Sequence, residues 1–352
     1  MGRRAVLSTP STLTSEPQNH MNDLIQSGIR RPDLPDDLSP HTRFYRRLMG
    51  WSLFCAFLSV AFAKPLLGLT RFALGSELYS YVALVPLMSI YLLWQKRNDL
   101  LGCRVGPVAW DAAIPVLAGL GLLVAYQVMV VKGWTPTEGD YLSITIASFV
   151  SCVIAGFLFF FGRDILRTAA FPIGFLIFMV PLPTLFTDWL EQFLQHSSAD
   201  AASVLLSLSG ATVFREGAVF HLPGITIEVA KECSGIHSTL VLFVTSLLAG
   251  HLFLRSPWKQ AALALVVIPL GIVRNGIRIF TISWLCVHVD PAMIDSPIHH
   301  RGGPIFFALS LVPFLALLFV LRKSEGWRKT VRPVPADAPL KSALLPGQGA
   351  ES

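Results

Sequence analysis

The chain has 352 residues, 53% of them hydrophobic and 14% charged, and its mean hydropathy is +0.58. That exceeds what a soluble globular core needs and indicates a polytopic membrane protein, to which domain counts for soluble chains do not apply. The net charge of +6 would suit a nucleic-acid binder, but the basic residues are spread between apolar spans rather than gathered on a face, so the expected partner is the lipid bilayer and not nucleic acid.

Residues 1–45 are polar and rich in Ser, Thr, Pro and Asp, and read as a disordered cytoplasmic tail without a signal peptide. The first span must then be its own insertion signal. Eight spans follow within a multi-pass membrane domain of residues 46–321, at about 48–70, 77–94, 110–131, 141–162, 169–189, 236–254, 260–284 and 303–321. Pro172, Pro181 and Pro183 interrupt the fifth. Residues 322–352 are basic and then Pro/Ala-rich, a second disordered cytoplasmic tail. The fold class is therefore an all-α polytopic membrane protein of about eight transmembrane helices.

Lys and Arg placement orients it. With the N-terminus cytoplasmic, 20 of the 28 basic residues fall inside, in clusters such as Arg43, Arg46 and Arg47, Lys96 and Arg97, Arg163 and Arg167, and Arg322 and Lys323. Six fall in outer segments, and Arg274 and Arg278 lie within a span. Both termini are thus expected on the cytoplasmic side of a cell (inner) membrane.

The longest outer segment, about 190–232, opens with apolar residues at helical spacing from Phe186 to Leu194, expected to lie along the interface. Farther on, Pro223-Gly224 separates β-rich runs in which Ile225, Ile227 and Val229 alternate with Thr226, Glu228 and Ala230. This predicts a short outer-face hairpin leading directly into Cys233.

The five cysteines, Cys55, Cys103, Cys152, Cys233 and Cys286, show no C-x-x-C and no metal-ligand spacing, so neither a disulfide framework nor a metal is indicated, and no cofactor is expected. Cys233 stands apart because Ser234-Gly235 suits the start of the apolar helix that follows. A thiol at a helix entry sits against unpaired N–H groups and the positive dipole end, which lower its pKa and favour the nucleophilic thiolate. The competing reading is one more small buried hydrophobe.

Arg274, Asn275 and Arg278 occupy nearly one face of the seventh span. Charges at membrane depth face a bundle interior and serve a purpose, unless they snorkel to the interface or pair with a carboxylate such as Glu232. The outer loop before the last span carries His299 and His300, and a histidine within reach of a thiol is the usual base that activates it. Together these residues put a nucleophile, an oxyanion or thiolate stabiliser and a base on one side of one membrane.

With these residues in view, the chain resembles the exosortase/archaeosortase family of polytopic membrane cysteine transpeptidases. The resemblance rests on Glu232-Cys233-Ser234-Gly235-Ile236, on Asn275-Gly276-Ile277-Arg278, and on His299 followed by Gly303 and Phe307, with support from Pro181-Leu182-Pro183, and covers roughly residues 75–321. It implies Cys233 as nucleophile, Arg278 as essential arginine and His299 as third member, with His300 as the alternative histidine. It further implies exported protein substrates whose C-terminal sorting signal is a short motif such as Pro-Glu-Pro, a transmembrane helix and a basic end, cleaved through a thioester at the outer (periplasmic) face. A link to extracellular polysaccharide export follows from the same resemblance. Two other functions compete: a transporter or channel with an arginine-lined anion path, and a non-catalytic partner in polysaccharide export. No inverted repeat supports the first, and no H-E-x-x-H or G-x-S-x-G points to other hydrolytic chemistry.

Overall fold

The structure, a computed structural model, describes residues 40–103, 110–210, 213–222, 225–229, 234–290, 292–293 and 302–327. Cys233, His299 and His300 lie outside the described residues, as do Glu232, the Pro223-Gly224 turn and most of both expected tails. Among the described residues six helices are long and apolar enough to cross a membrane, or up to eight if each of two bent pairs is one span. A small three-stranded sheet completes a mostly helical protein.

The bent pairs are where the fold departs from a row of straight spans. The first span is split into α1 (Pro40–Ala61) and α2 (Ala63–Gly75), which meet at 76°. Pro65 explains the break, because its ring has no N–H to give and collides with the carbonyl four residues back, at Ala61. Residues 40–45, expected in the tail, are helical.

After a 3-10 stretch, Glu77–Ala83, come α3 (Leu84–Gln95), α4 (Arg97–Gly102) and α5 (Ala113–Val131). Almost all of α5 is exposed in the isolated chain, as befits an apolar helix with a lipid-facing surface. In contrast α6 (Glu138–Thr168) is the buried axis of the N-terminal half, and its Ile146, Val150, Phe157 and Phe161 anchor two core clusters.

The expected fifth span is also broken. Residues after α7 (Ala170–Gly174) pass through a 3-10 stretch, Phe175–Met179, and the chain turns by 89° across Val180–Pro183, where Pro181 and Pro183 deny the backbone its helical donors. It resumes as α8 (Thr184–Leu208), so the interfacial helix expected from Phe186 is the first part of a much longer one.

The predicted hairpin is present and carries an extra strand. Strands β1 (Phe214–Glu216), β2 (Val219–Leu222) and β3 (Ile225–Glu228) pair antiparallel in that order, with Phe220 opposite Ile227. Phe220, Leu222 and Ile227 form the inner face while Thr226 and Glu228 are exposed, the alternation read from the sequence.

The C-terminal half is built from α9 (Ile236–Phe253), α10 (Pro257–His288) and α11 (Gly303–Trp327). At 32 residues α10 is about 48 Å long, well beyond a hydrocarbon core of about 30 Å. Its first half packs against α9 and α11 through Leu263 and Val267. Its second half continues past the start of α9, where Ile279, Ile282 and Cys286 close a separate core with the sheet and α8. The end of α11 returns to the α9–α10 turn, where the Glu325 carboxylate accepts from the backbone N–H groups of Arg255 and Ser256.

Candidate active site

The site forms where the second half of α10 meets three other elements. Gly276, inside the Asn275-Arg278 motif, is the contact point with α8: a Cβ there would lie 2.7 Å from that of Ala201 and 3.3 Å from the Ser198 carbonyl oxygen. A glycine is required for the two backbones to approach so closely. That contact fixes the rotation of α10 and hence the direction of Arg274, Asn275 and Arg278.

On the next face, α10 meets the start of α9. Gly235 is the N-cap residue of α9 and adopts φ +75°, which glycine accepts without strain. A side chain at this position would meet Arg274 Nη2 at 3.1 Å and Asn275 Oδ1 at 3.3 Å. The Gly235 carbonyl oxygen accepts from Thr239 N (3.1 Å), Thr239 Oγ1 (2.9 Å) and Arg274 Nη2 (3.2 Å). Arg274 Nη2 also donates to Thr239 Oγ1 at 3.3 Å. Arg274 and Asn275 are 5% and 2% exposed, and Ser234 is 1% exposed. The turn that follows Cys233 in sequence is thus dry, tightly packed and held by a cation.

The strand that precedes Cys233 arrives at the same place. Ile227, Glu228 and Val229 line a cavity of about 30 Å³ with Asn275, Arg278, Ile279, Ile282 and Ser283. Its size is about that of one water molecule. Val229 is fastened twice, its N–H donating to the Ala218 carbonyl at 2.9 Å and its carbonyl accepting from Gln195 Nε2 of α8 at 2.5 Å.

Of the residues singled out from sequence, Arg278 is therefore half-buried beside the strand end, and Asn275 and Arg274 lie against the turn. The chain enters the Cys233 segment at Val229 and leaves it at Ser234, and both ends pack on the same stretch of α10. Cys233 and His299, with the alternative His300, fall outside the described residues. Sequence reasoning missed Gln195, Thr239 and Gly276 as supports. Only Gly276 left a signal, a glycine inside an apolar helix next to polar residues.

These features define a polytopic membrane protein with a buried polar site at the junction of α8, α9, α10 and a small sheet. A family model described as transmembrane exosortase (Exosortase_EpsH) matches residues 70–316, and the chain belongs to that family of cysteine transpeptidases. No curated protein and no solved structure matches the chain. Membership implies a membrane transpeptidase that processes PEP-CTERM sorting signals.

Proposed function

We propose that Cys233 is the nucleophile of this transpeptidase and that Arg278 and His299 complete its site. The Cys233 thiolate attacks the scissile carbonyl carbon of the sorting signal. Arg278 stabilises the oxyanion that forms, and His299 takes the thiol proton and returns it to the leaving amine. The C–N bond breaks as the thioester forms. Water or an acceptor nucleophile then attacks the thioester and restores the thiol.

The observation that carries this reading is the packing of both described neighbours of the Cys233 segment, Val229 and the Ser234-Gly235 turn, on the one stretch of α10 that bears Asn275 and Arg278. The Lys and Arg distribution supports cytoplasmic termini and a site on the outer face of the inner membrane, where a substrate held by a single span would present its scissile peptide. The same distribution supports a division into tails at 1–45 and 322–352, apart from the helical residues 40–45 and 322–327, around one membrane domain.

The test is processing of a co-expressed reporter ending in a Pro-Glu-Pro-type motif, a transmembrane helix and a basic tail. Cleavage is expected with the parent chain and lost with Cys233→Ala and Arg278→Ala. Undiminished cleavage by Cys233→Ala would overturn the assignment.

A further inference from the structure

We propose that the cavity between the α9–α10 turn and the end of α11 binds the headgroup of an anionic phospholipid, with Arg255 and Arg322 holding its phosphodiester. The cavity is separate from the candidate active site. It lies at the opposite end of α9 from Gly235, about 27 Å away along an 18-residue helix.

Three candidate membrane spans have an end here: α9 at Phe253, α10 at Pro257 and α11 at Glu325. Between them is a cavity of about 930 Å³ whose lining includes Phe253, Arg255, Trp258, Lys259, Arg322 and Glu325. Pockets of roughly 300–1,000 Å³ are the usual size for organic ligands.

Among its charged side chains Lys259 and Glu325 are the least exposed, and they belong to a closed polar network. The Glu325 carboxylate accepts from Arg255 N and Ser256 N and stands 3.9 Å from Lys259 Nζ. Lys259 Nζ donates to Ser324 Oγ at 2.6 Å and to the Leu321 carbonyl at 3.3 Å. The carboxylate is thus spent on the turn and on Lys259.

The two arginines are left over. Neither guanidinium has a carboxylate within ion-pair distance among the described residues, and that of Arg322 rests over the Phe253 ring at 5.6 Å. Arg255, Lys259 and Arg322 against Glu325 leave two positive charges in excess. The sequence just beyond α11, with Arg328, Lys329 and Arg332, adds cations rather than answering them.

A guanidinium fork matches two phosphate oxygens, and basic pockets between membrane helices hold anionic headgroups. Leu252, Phe253 and Trp258, all exposed, line the same cavity and offer apolar surface to the acyl chains. Tryptophan suits the boundary between headgroup and chain. A lipid seated here would join the α9–α10 turn to α11, so its binding is readable as stability.

The experiment follows the thermal midpoint of the purified full chain in an uncharged detergent as short-chain phosphatidylglycerol is added. Phosphatidylcholine with the same chains and inorganic phosphate are titrated in parallel. Phosphatidylglycerol is expected to raise the midpoint by about 2–4 °C at about tenfold over its Kd, and the other two to leave it in place. Arg255→Gln combined with Arg322→Gln is expected to abolish the shift. Each single substitution is expected to weaken it, which carries the test if the double variant does not fold. Lys323→Gln removes a cation from the same end of α11 but outside the cavity, and is expected to keep the shift.

No shift with phosphatidylglycerol in the parent would overturn the proposal, as would a shift that survives the double substitution or is lost with Lys323→Gln. An equal shift with phosphatidylcholine would reduce the binding to chain contact, and an equal shift with inorganic phosphate would make the ligand a soluble anion; either result overturns the anionic lipid.

Discussion

Gly276 of α10 packs directly on Ala201 of α8, with room for no further atom: a methyl group on Gly276 would sit 2.7 Å from the Ala201 Cβ and 3.3 Å from the backbone N of Ala202. Gly276→Ala is therefore expected to push the helices apart and turn Arg278 away from the sheet. Overpacking of this kind costs about 1–3 kcal/mol, read as a lower thermal midpoint in detergent together with reduced reporter processing. Ala201→Gly removes the opposing methyl, so the double variant should recover much of both losses, a coupling that distant sites would not show.

Gln195 reaches from α8 to the carbonyl of Val229, the last described residue before the Cys233 segment. Gln195→Leu keeps the volume and leaves that buried carbonyl without its donor, at a cost of about 1–3 kcal/mol. Because the freed end is the strand that leads to Cys233, the proposed nucleophile, processing per folded molecule is expected to fall as well. Unchanged processing would show that the sheet is a passive cover.

Asp140 ties two helix starts together. Its carboxylate accepts from Thr137 N (3.3 Å) in a capping box at the start of α6 and from Thr184 N (2.9 Å) at the start of α8, while the Thr137 and Thr184 hydroxyls share a 2.7 Å bond. Asp140→Ala is expected to lower stability by about 1–2 kcal/mol, the usual worth of an N-cap. Processing per folded molecule should hold near the parent level, since the clamp positions α8 at the end remote from its contact with Gly276. A selective loss of processing would instead give Asp140 a part in the chemistry.

The double histidine is resolved by separate substitution. His299→Ala is expected to slow processing by about 100-fold to 10,000-fold, the range for a lost acid–base group, while His300→Ala stays near the parent rate. The reverse ranking would move the proton-shuttle role to His300 and leave the rest of the site intact.

Much of this was legible in the chain. Long apolar stretches announce spans because the bilayer demands about 20 such residues, and the alternation of Ile225, Thr226, Ile227 and Glu228 announced the strand. The bend after Ala61 was hidden because Pro65 acts four residues upstream of itself. The extra strand β1 was hidden because three residues carry too little alternation to register. The supports of the site were beyond local reading: Gln195 meets Val229 and Arg274 meets Thr239 across some 35 residues of chain, and nothing in the pattern around either end names its partner. Arg274 was visible as a charge within a span and read as structural, and its fit to Gly235 needed the packing of α9 on α10.

The most direct test of the account is capture of the covalent intermediate. Purified protein would be mixed with a synthetic sorting-signal substrate, quenched in acid and digested, and the Cys233 peptide weighed. An acyl adduct on Cys233 equal in mass to the N-terminal part of the substrate is expected, released by hydroxylamine and absent in Cys233→Ser. Cleaved substrate appearing at the parent rate with Cys233→Ser, or an adduct on any other residue, would contradict it.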